Sequence, residues 1–219
     1  MRRRSDADRR ETRGERRIRT TMGRREQNKA RRRAAILEAG KKVFSTTGFD
    51  SATVRDIVRE TDLSSGTFYN YFPDKDAVFD ELLAKVLADL RPRVREARAR
   101  AANGEAFIRD AFAAAVDVLL ADEENFAFIQ RSSNAFRARL FAGEEYAGIF
   151  EELRVDMQRG MEQGVLPEFP AELMTAAMVG ATLEVCVVGT ALGRSPEEMG
   201  EFLGTLFFGG VSAFGRSGN

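Results

Sequence analysis

The chain has no histidine and no tryptophan, and it carries one cysteine, Cys186, in 219 residues. Without histidine the commonest general base and metal ligand is missing, so Ser-His-Asp and Cys-His catalysis and most zinc sites are excluded. A single cysteine rules out an internal disulfide and any cysteine-rich metal centre, and it suits a reducing compartment. No metal, cofactor or catalytic residue is therefore expected. Long apolar runs are also scarce. Residues 173–193 form one span with a single charge, Glu184. Its length would permit a membrane crossing, but a mid-span charge and the lack of basic flanks favour a buried core helix. No membrane partner is expected. The first 20 residues lack the apolar core of a secretory signal, which points to a cytoplasmic protein, and residues 1–21 add only arginine-rich low complexity, leaving Met22 as a candidate start.

What is present is phenylalanine and a divided charge. Seventeen Phe and 43% hydrophobic residues suffice for a substantial core. Lys plus Arg and Asp plus Glu balance at 34 each, yet residues 1–33 hold 15 basic and 5 acidic side chains, a net of +10 that leaves −10 on the remainder. A basic N-terminus is either a solvated, disordered tail or an accessory contact to nucleic acid, from which an acidic body would be repelled.

The most specific stretch is Thr53 to Lys75, TVRDIVRETDLSSGTFYNYFPDK. Thr53 can cap a helix while Asp56 reaches back to the cap amide. Val54, Ile57 and Val58 then lie on one face, ending near Thr61. After a short turn, Ser64 or Ser65 can cap a second helix through Gly66, Thr67, Phe68, Tyr69, Asn70 and Tyr71. Two short helices on a tight turn form a helix-turn-helix, whose second helix enters the major groove of DNA. Ser65, Gly66, Thr67 and Asn70 keep its outer side short and polar, while Phe68 and Phe72 face Ile57 and Val58. Tyr69, Tyr71 and Lys75 have polar ends that can reach phosphates.

Over residues 30–85 this stretch, continuing into DAVFDELL, resembles the DNA-binding signature of the TetR family of bacterial transcription regulators, including Gly66-Thr67-Phe68-Tyr69-Asn70-Tyr71-Phe72 and Lys75. The resemblance implies an all-α protein: an N-terminal three-helix head joined to a larger helical ligand-binding and dimerisation body. It implies base contacts from Ser65, Thr67 and Asn70, with Arg55 as a further candidate and Gly66 beside them, and phosphate contacts from Thr53, Tyr69, Tyr71 and Lys75. It also implies a homodimer on near-palindromic operator DNA that a small molecule releases, although some members bind DNA better with ligand.

The expected organisation is a basic, disordered arm over 1–30, a DNA-binding head over 31–75 and a body over 76–215. Ile36, Ala39, Val43 and Phe44 mark a helix from Arg31 that Gly48 ends as a left-handed cap. Phe49 should then pack under the helix-turn-helix. Asp74 caps a long helix that Pro92 should kink or break, and the arginine-rich RPRVREARARAANG reads as a solvated continuation. Further helices follow over 107–120, 126–141, 146–161, 173–193 and 196–214, the last capped by Ser195. In the second of these, Gln130, Arg131, Ser132, Ser133 and Asn134 interrupt aromatic positions. That polar patch either faces solvent or orients a ligand in an apolar cavity.

Phe107, Phe112, Phe128, Ile129, Asn134, Phe136, Phe150, Met157 and Met178 are the candidate lining of a cavity for a small hydrophobic effector, and the same residues at helical spacing also read as plain core. The segment FAFIQRSSNAFRARL faintly resembles the body of family members that sense fatty acyl groups. Two apolar C-terminal helices exceed what one body can bury, and a two-fold four-helix bundle would cover them. Two other readings remain open: an effector-independent DNA-binding protein with a filled core, and a helical enzyme using Glu184, Arg131 or Cys186.

Overall fold

In the computed structural model, residues 6–142 and 147–216 are described, with side chains described over 25–139 and 150–214. Among these residues all regular structure is helical, in ten helices. The first, α1 (Asp6–Thr47), is continuous. The arm expected to be disordered over 1–30 is helical from Asp6 onward, as the N-terminal half of α1, and its side chains up to residue 24 lie outside the described residues.

Helix α1 ends where Gly48 takes φ +78 and donates its N–H to Phe44 O at 3.0 Å. A β-carbon there would be strained by φ and would stand 2.6 Å from Arg131 O, so glycine both turns the chain and lets the body approach. Two short helices follow, α2 (Val54–Arg59) and α3 (Ser65–Tyr69). Thr53 and Asp56 close a reciprocal capping box on α2, and Ser64 Oγ accepts from Thr67 N on α3. Ile57, Phe68 and Phe72 are buried against α1, which completes the three-helix head.

Helix α4 (Lys75–Arg100) leaves the head and enters the body. It passes through Pro92 without ending, so of the kink or break expected there the break does not occur. Proline removes one hydrogen bond and costs about 3 kcal/mol in a helix interior, yet the turns beyond it are held by packing: Val94 is buried and Arg98 pairs with Asp156 at 3.1 Å. The arginine-rich stretch is therefore solvated on one side, at Arg93, Glu96 and Arg100, and a wall of the body on the other, at Arg91, Val94 and Arg98.

The body continues with α5 (Gly104–Leu120), α6 (Glu123–Arg131), α7 (Ser133–Ala142), α8 (Ala147–Glu162), α9 (Ala171–Ala191) and α10 (Pro196–Arg216). The expected single helix over 126–141 is two, because Ser132 caps α6 in a non-helical conformation. Leu140, Phe141, Tyr146 and Ile149, which fall within the helices expected over 126–141 and 146–161, have side chains outside the described residues. Helices α5 and α10 pack closely through Gly200 and Gly204, which face Ala113 and Arg109, while Gly189 of α9 receives Met199. Ser195 and Glu198 cap α10 reciprocally.

Head and body meet through α6 and α7. Phe49 N donates to Ser132 Oγ at 3.1 Å in a buried bond. Phe128 of α6 stands 5.0 Å from Phe79 and 6.2 Å from Phe44, and Phe49 lies 4.8 Å from Phe79. Arg139 of α7 stacks over both Phe49 and Phe79 and pairs with Asp76 and Asp80 of α4. Lys41 of α1 pairs with Asp122 at 2.8 Å and Glu124 at 3.3 Å. The polar patch thus has a third role: Ser132 joins body to head, whereas Gln130, Arg131 and Asn134 are exposed.

Removing the Ser132 hydroxyl would strand a buried backbone N–H. Ser132→Ala should lower unfolding free energy by about 1–3 kcal/mol, read from the urea midpoint, whereas Asn134→Ala should stay within about 0.5 kcal/mol.

Candidate functional site

The outer surface of the head is built by burial of its inner side. Because Phe68 is fully buried, the five-residue α3 turns Ser65, Gly66 and Tyr69 outward, with Thr67 half-buried beside them and Asn70 exposed at its C-cap. Tyr69 is 57% exposed despite its apolar ring, so its hydroxyl is free of the core. Thr53 and Arg55 are exposed on the neighbouring helix start, and Tyr71 is half-buried. A β-carbon on Gly66 would meet only Ser64 Oγ, at 4.0 Å. Nothing within the chain requires glycine there, and its smallness instead opens the surface to an approaching partner.

Lys75 departs from expectation. Its ammonium donates to Phe49 O at 2.8 Å, Ala52 O at 2.9 Å and Asp50 O at 3.5 Å, and sits 4.4 Å above the Phe49 ring. These acceptors occupy its three donors, so the side chain closes the α1–α2 connection instead of reaching outward. The turn from Gly48 to Thr53 leaves carbonyls without helical partners, and the first turn of α4 lies beside them.

A cavity of about 680 Å³ lies in the body, walled by α4, α5, α7, α8 and α9. Phe112, Phe136, Phe150 and Met178 line it as expected. The remaining candidates do not. Phe128 and Ile129 are buried, the former in the head–body aromatic cluster and the latter beside a far smaller void. Met157 is 1% exposed and belongs to the core. Phe107 lies under Arg98, 5.4 Å from ring centroid to guanidinium carbon, and Asn134 is exposed. Helical periodicity identifies buried positions but cannot separate those that fill space from those that border it.

The sequence reading missed the charged part of this lining. Arg91, Arg95 and Arg98 of α4 and Arg159 of α8 border the cavity together with Glu151, Glu152 and Asp156. Their spacing at 91, 95 and 98 places all three on one side of α4, a signal the sequence contains. Burial pushes the Arg98 guanidinium below its ordinary value, and Asp156 opposes the shift.

The residues proposed for chemistry are dispersed. Cys186 is buried, and desolvation pushes its thiol up to about 12, which keeps it neutral. Glu184 pairs with Arg137 and is largely exposed, which explains how an apolar helix tolerates its charge.

The head matches a known pattern. Residues 36–82 match the model described as bacterial regulatory proteins, tetR family. The fold is similar to that of the fatty acid degradation regulator FadR from Bacillus halodurans, at 19% identity and a TM-score of 0.66 over 80% of this chain and 93% of that one. It is similar to FadR from Bacillus subtilis in complex with stearoyl-CoA, at 18% identity and TM-score 0.63 over 80% and 96% of the two chains. A TetR-family protein from Syntrophomonas wolfei is alike at 20% identity and TM-score 0.68, over 82% and 94%.

The capping box gives a pH test of the head. Hydrogen bonds from the Thr53 side chain and then its backbone N–H hold the Asp56 carboxyl below its ordinary 3.8. A carboxylate lowered in the folded state stabilises above its unfolded value, and that contribution is lost as pH falls through the folded one. Asp56→Asn should therefore lower the melting temperature at neutral pH, and the gap to the parent protein should close as pH falls below about 3.8.

Proposed function

We propose that this chain, a DNA-binding transcriptional regulator of the TetR family, acts in the cytoplasm as a homodimeric repressor whose two heads occupy successive half-sites of a near-palindromic operator until a small hydrophobic effector enters the body. The observation that carries the DNA-binding part is α3 itself, which buries Phe68 and turns a short polar surface outward. Ser65, Thr67 and Asn70 are the base-reading side chains of this proposal, with Gly66 allowing close approach and Arg55 reaching from α2. Tyr69 and Tyr71 meet phosphates, and the backbone N–H groups at the start of α4, held in place by Lys75, complete the contact; Thr53, whose hydroxyl and N–H both donate to Asp56, caps α2 instead of supplying the phosphate contact expected of it.

The dimer reading rests on α9 and α10. Leu173, Val188 and Leu192 on or just after α9, and Phe202, Leu206 and Phe214 on α10, are each roughly half exposed or more. Gly209 and Gly210 have open space where a β-carbon would stand. An apolar face of this kind suits a two-fold bundle with its copy, each partner supplying two helices. It also accounts for α9 being long and apolar enough to cross a membrane without assigning it to one.

The effector reading rests on the cavity, whose volume lies in the range of small-molecule sites. Similarity to regulators of fatty acid degradation, one of them solved with stearoyl-CoA, supports a long-chain acyl compound as effector. An open cavity counts against an effector-independent protein with a filled core. The scatter of Glu184, Arg131 and Cys186 counts against an enzyme.

Two routes connect cavity and head. Helix α4 lines the cavity from Leu87 to Arg98 and begins at Lys75, which holds the head turn. Helix α7 lines it with Phe136 and clamps α4 with Arg139. An effector that favours one separation of α4 and α7 shifts the spacing of the heads, and only by its difference in affinity for the two.

A duplex selected from a randomised pool by the full-length protein provides the test. Tyr71→Phe should weaken binding to all sequences by about tenfold, whereas Thr67→Val should relax preference at one or two base pairs; undiminished binding in both, measured by fluorescence anisotropy at moderate salt, would exclude this docking surface. Leu206→Glu should yield a monomer in sedimentation velocity and lose operator affinity, because one head alone cannot span two half-sites.

A further inference from the structure

We propose that the cavity takes an anionic amphiphile, with the apolar tail among Leu87, Ile108, Phe112 and Phe136 and the negative head group bound at the α4 wall by Arg98 and Arg95. This deepens the effector reading above and rests on it.

The cavity is polarised. Leu87, Ile108, Phe112, Leu119 and Phe136 are all nearly inaccessible, whereas Pro92, Arg95, Glu151 and Arg159 are exposed. One end is therefore apolar and enclosed, and the other is charged and open to solvent. Arg98 is the most buried arginine of the charged lining. Its side chain is only 9% exposed, one terminal nitrogen pairs with Asp156 at 3.1 Å, and its Nε has no hydrogen-bond partner. A buried guanidinium N–H without an acceptor is costly, and a ligand oxygen is what would satisfy it.

The rim carboxylates do not fill that role, because each is already paired. Glu151 holds Arg154, Glu152 lies 3.4 Å from Arg91 Nε, and Asp156 serves both Arg98 and Arg159. Arg95, one turn from Arg91 and from Arg98 on the same side of α4, has no carboxylate within ion-pair distance among the described residues. The wall thus offers Arg95, a cation with no carboxylate partner among the described residues, and two buried donors without acceptors, Arg98 Nε and Arg91 Nε. An oxyanion complements this set, whereas a neutral hydroxyl would leave Arg95 without a partner and a cation would be repelled. Carboxylate and phosphate share the required chemistry.

The test is isothermal titration of the full-length protein with dodecanoate, dodecyl phosphate, dodecanol and dodecyltrimethylammonium, each below its micelle-forming concentration. We expect both anions to bind roughly ten- to a hundredfold more tightly than the alcohol and the cation to bind least. The tighter of the two anions then identifies the head group. Arg95→Gln, an exposed change that breaks no ion pair, should erase much of the preference while leaving the alcohol's affinity unchanged, and Arg98→Met combined with Asp156→Asn should erase the rest. Equal binding of anion and alcohol would overturn the head-group assignment while leaving the cavity as the effector site. A preference that survives both variants would overturn the role of these arginines. If no compound of the series binds, both this inference and the effector reading fall.

Discussion

The structure depends on a buried joint between head and body at Phe49. Its N–H donates to Ser132 at the C-cap of α6, its ring lies against Phe79 near the start of α4, and Arg139 of α7 stacks on both rings. Three elements from different parts of the chain therefore meet within one residue's reach. Aromatic pairs and stacked cations each add about 0.5–1.5 kcal/mol beyond area burial, so the joint is strong as a set while each contact is modest. Gly48 makes it possible, since any side chain there would collide with Arg131 O.

This joint changes how the long helix α4 is understood. A single connecting helix could swing about its first turn, but α4 is tied on two sides. Lys75 fixes its start to the carbonyls of the head turn, and Arg139 fixes Asp76 and Asp80 to α7. Head and body are thus tied through both α4 and α7, and both line the cavity. Pro92 sits in the α4 wall, where one missing hydrogen bond makes the helix easier to bend. The cavity and the joint are consequently built on the same two helices, a few turns apart.

Polar residues in the body follow the same economy of placement. Ser132 has its one buried bond across the joint, and Glu184 escapes an apolar helix by pairing with Arg137 at the surface. Arg98 departs from this, as do Thr175 Oγ1 and Arg91 Nε: it is buried, half-satisfied and at the cavity, where burial of a charge is tolerable only with a partner. The body's aromatic surplus divides accordingly, Phe128 serving the joint and Phe112, Phe136 and Phe150 the cavity.

By itself the sequence determined everything that depends on neighbours in the chain. The capping boxes at Thr53 and Ser195, the left-handed Gly48, the outward polar surface of α3 and the long α4 all follow from spacings of three or four residues, and those spacings are local physics. Contacts between distant segments were decided only by tertiary structure. Periodicity marked Phe128, Ile129 and Met157 as buried without saying that they fill space, and it marked Arg95 as solvated without showing the cavity beside it. Ser132 looked like an interruption because its partner is 83 residues away, and Lys75 looked like a free cation because the carbonyls that hold it belong to another turn. Which residues border empty space is a property of how helices pack, and no window of sequence contains it.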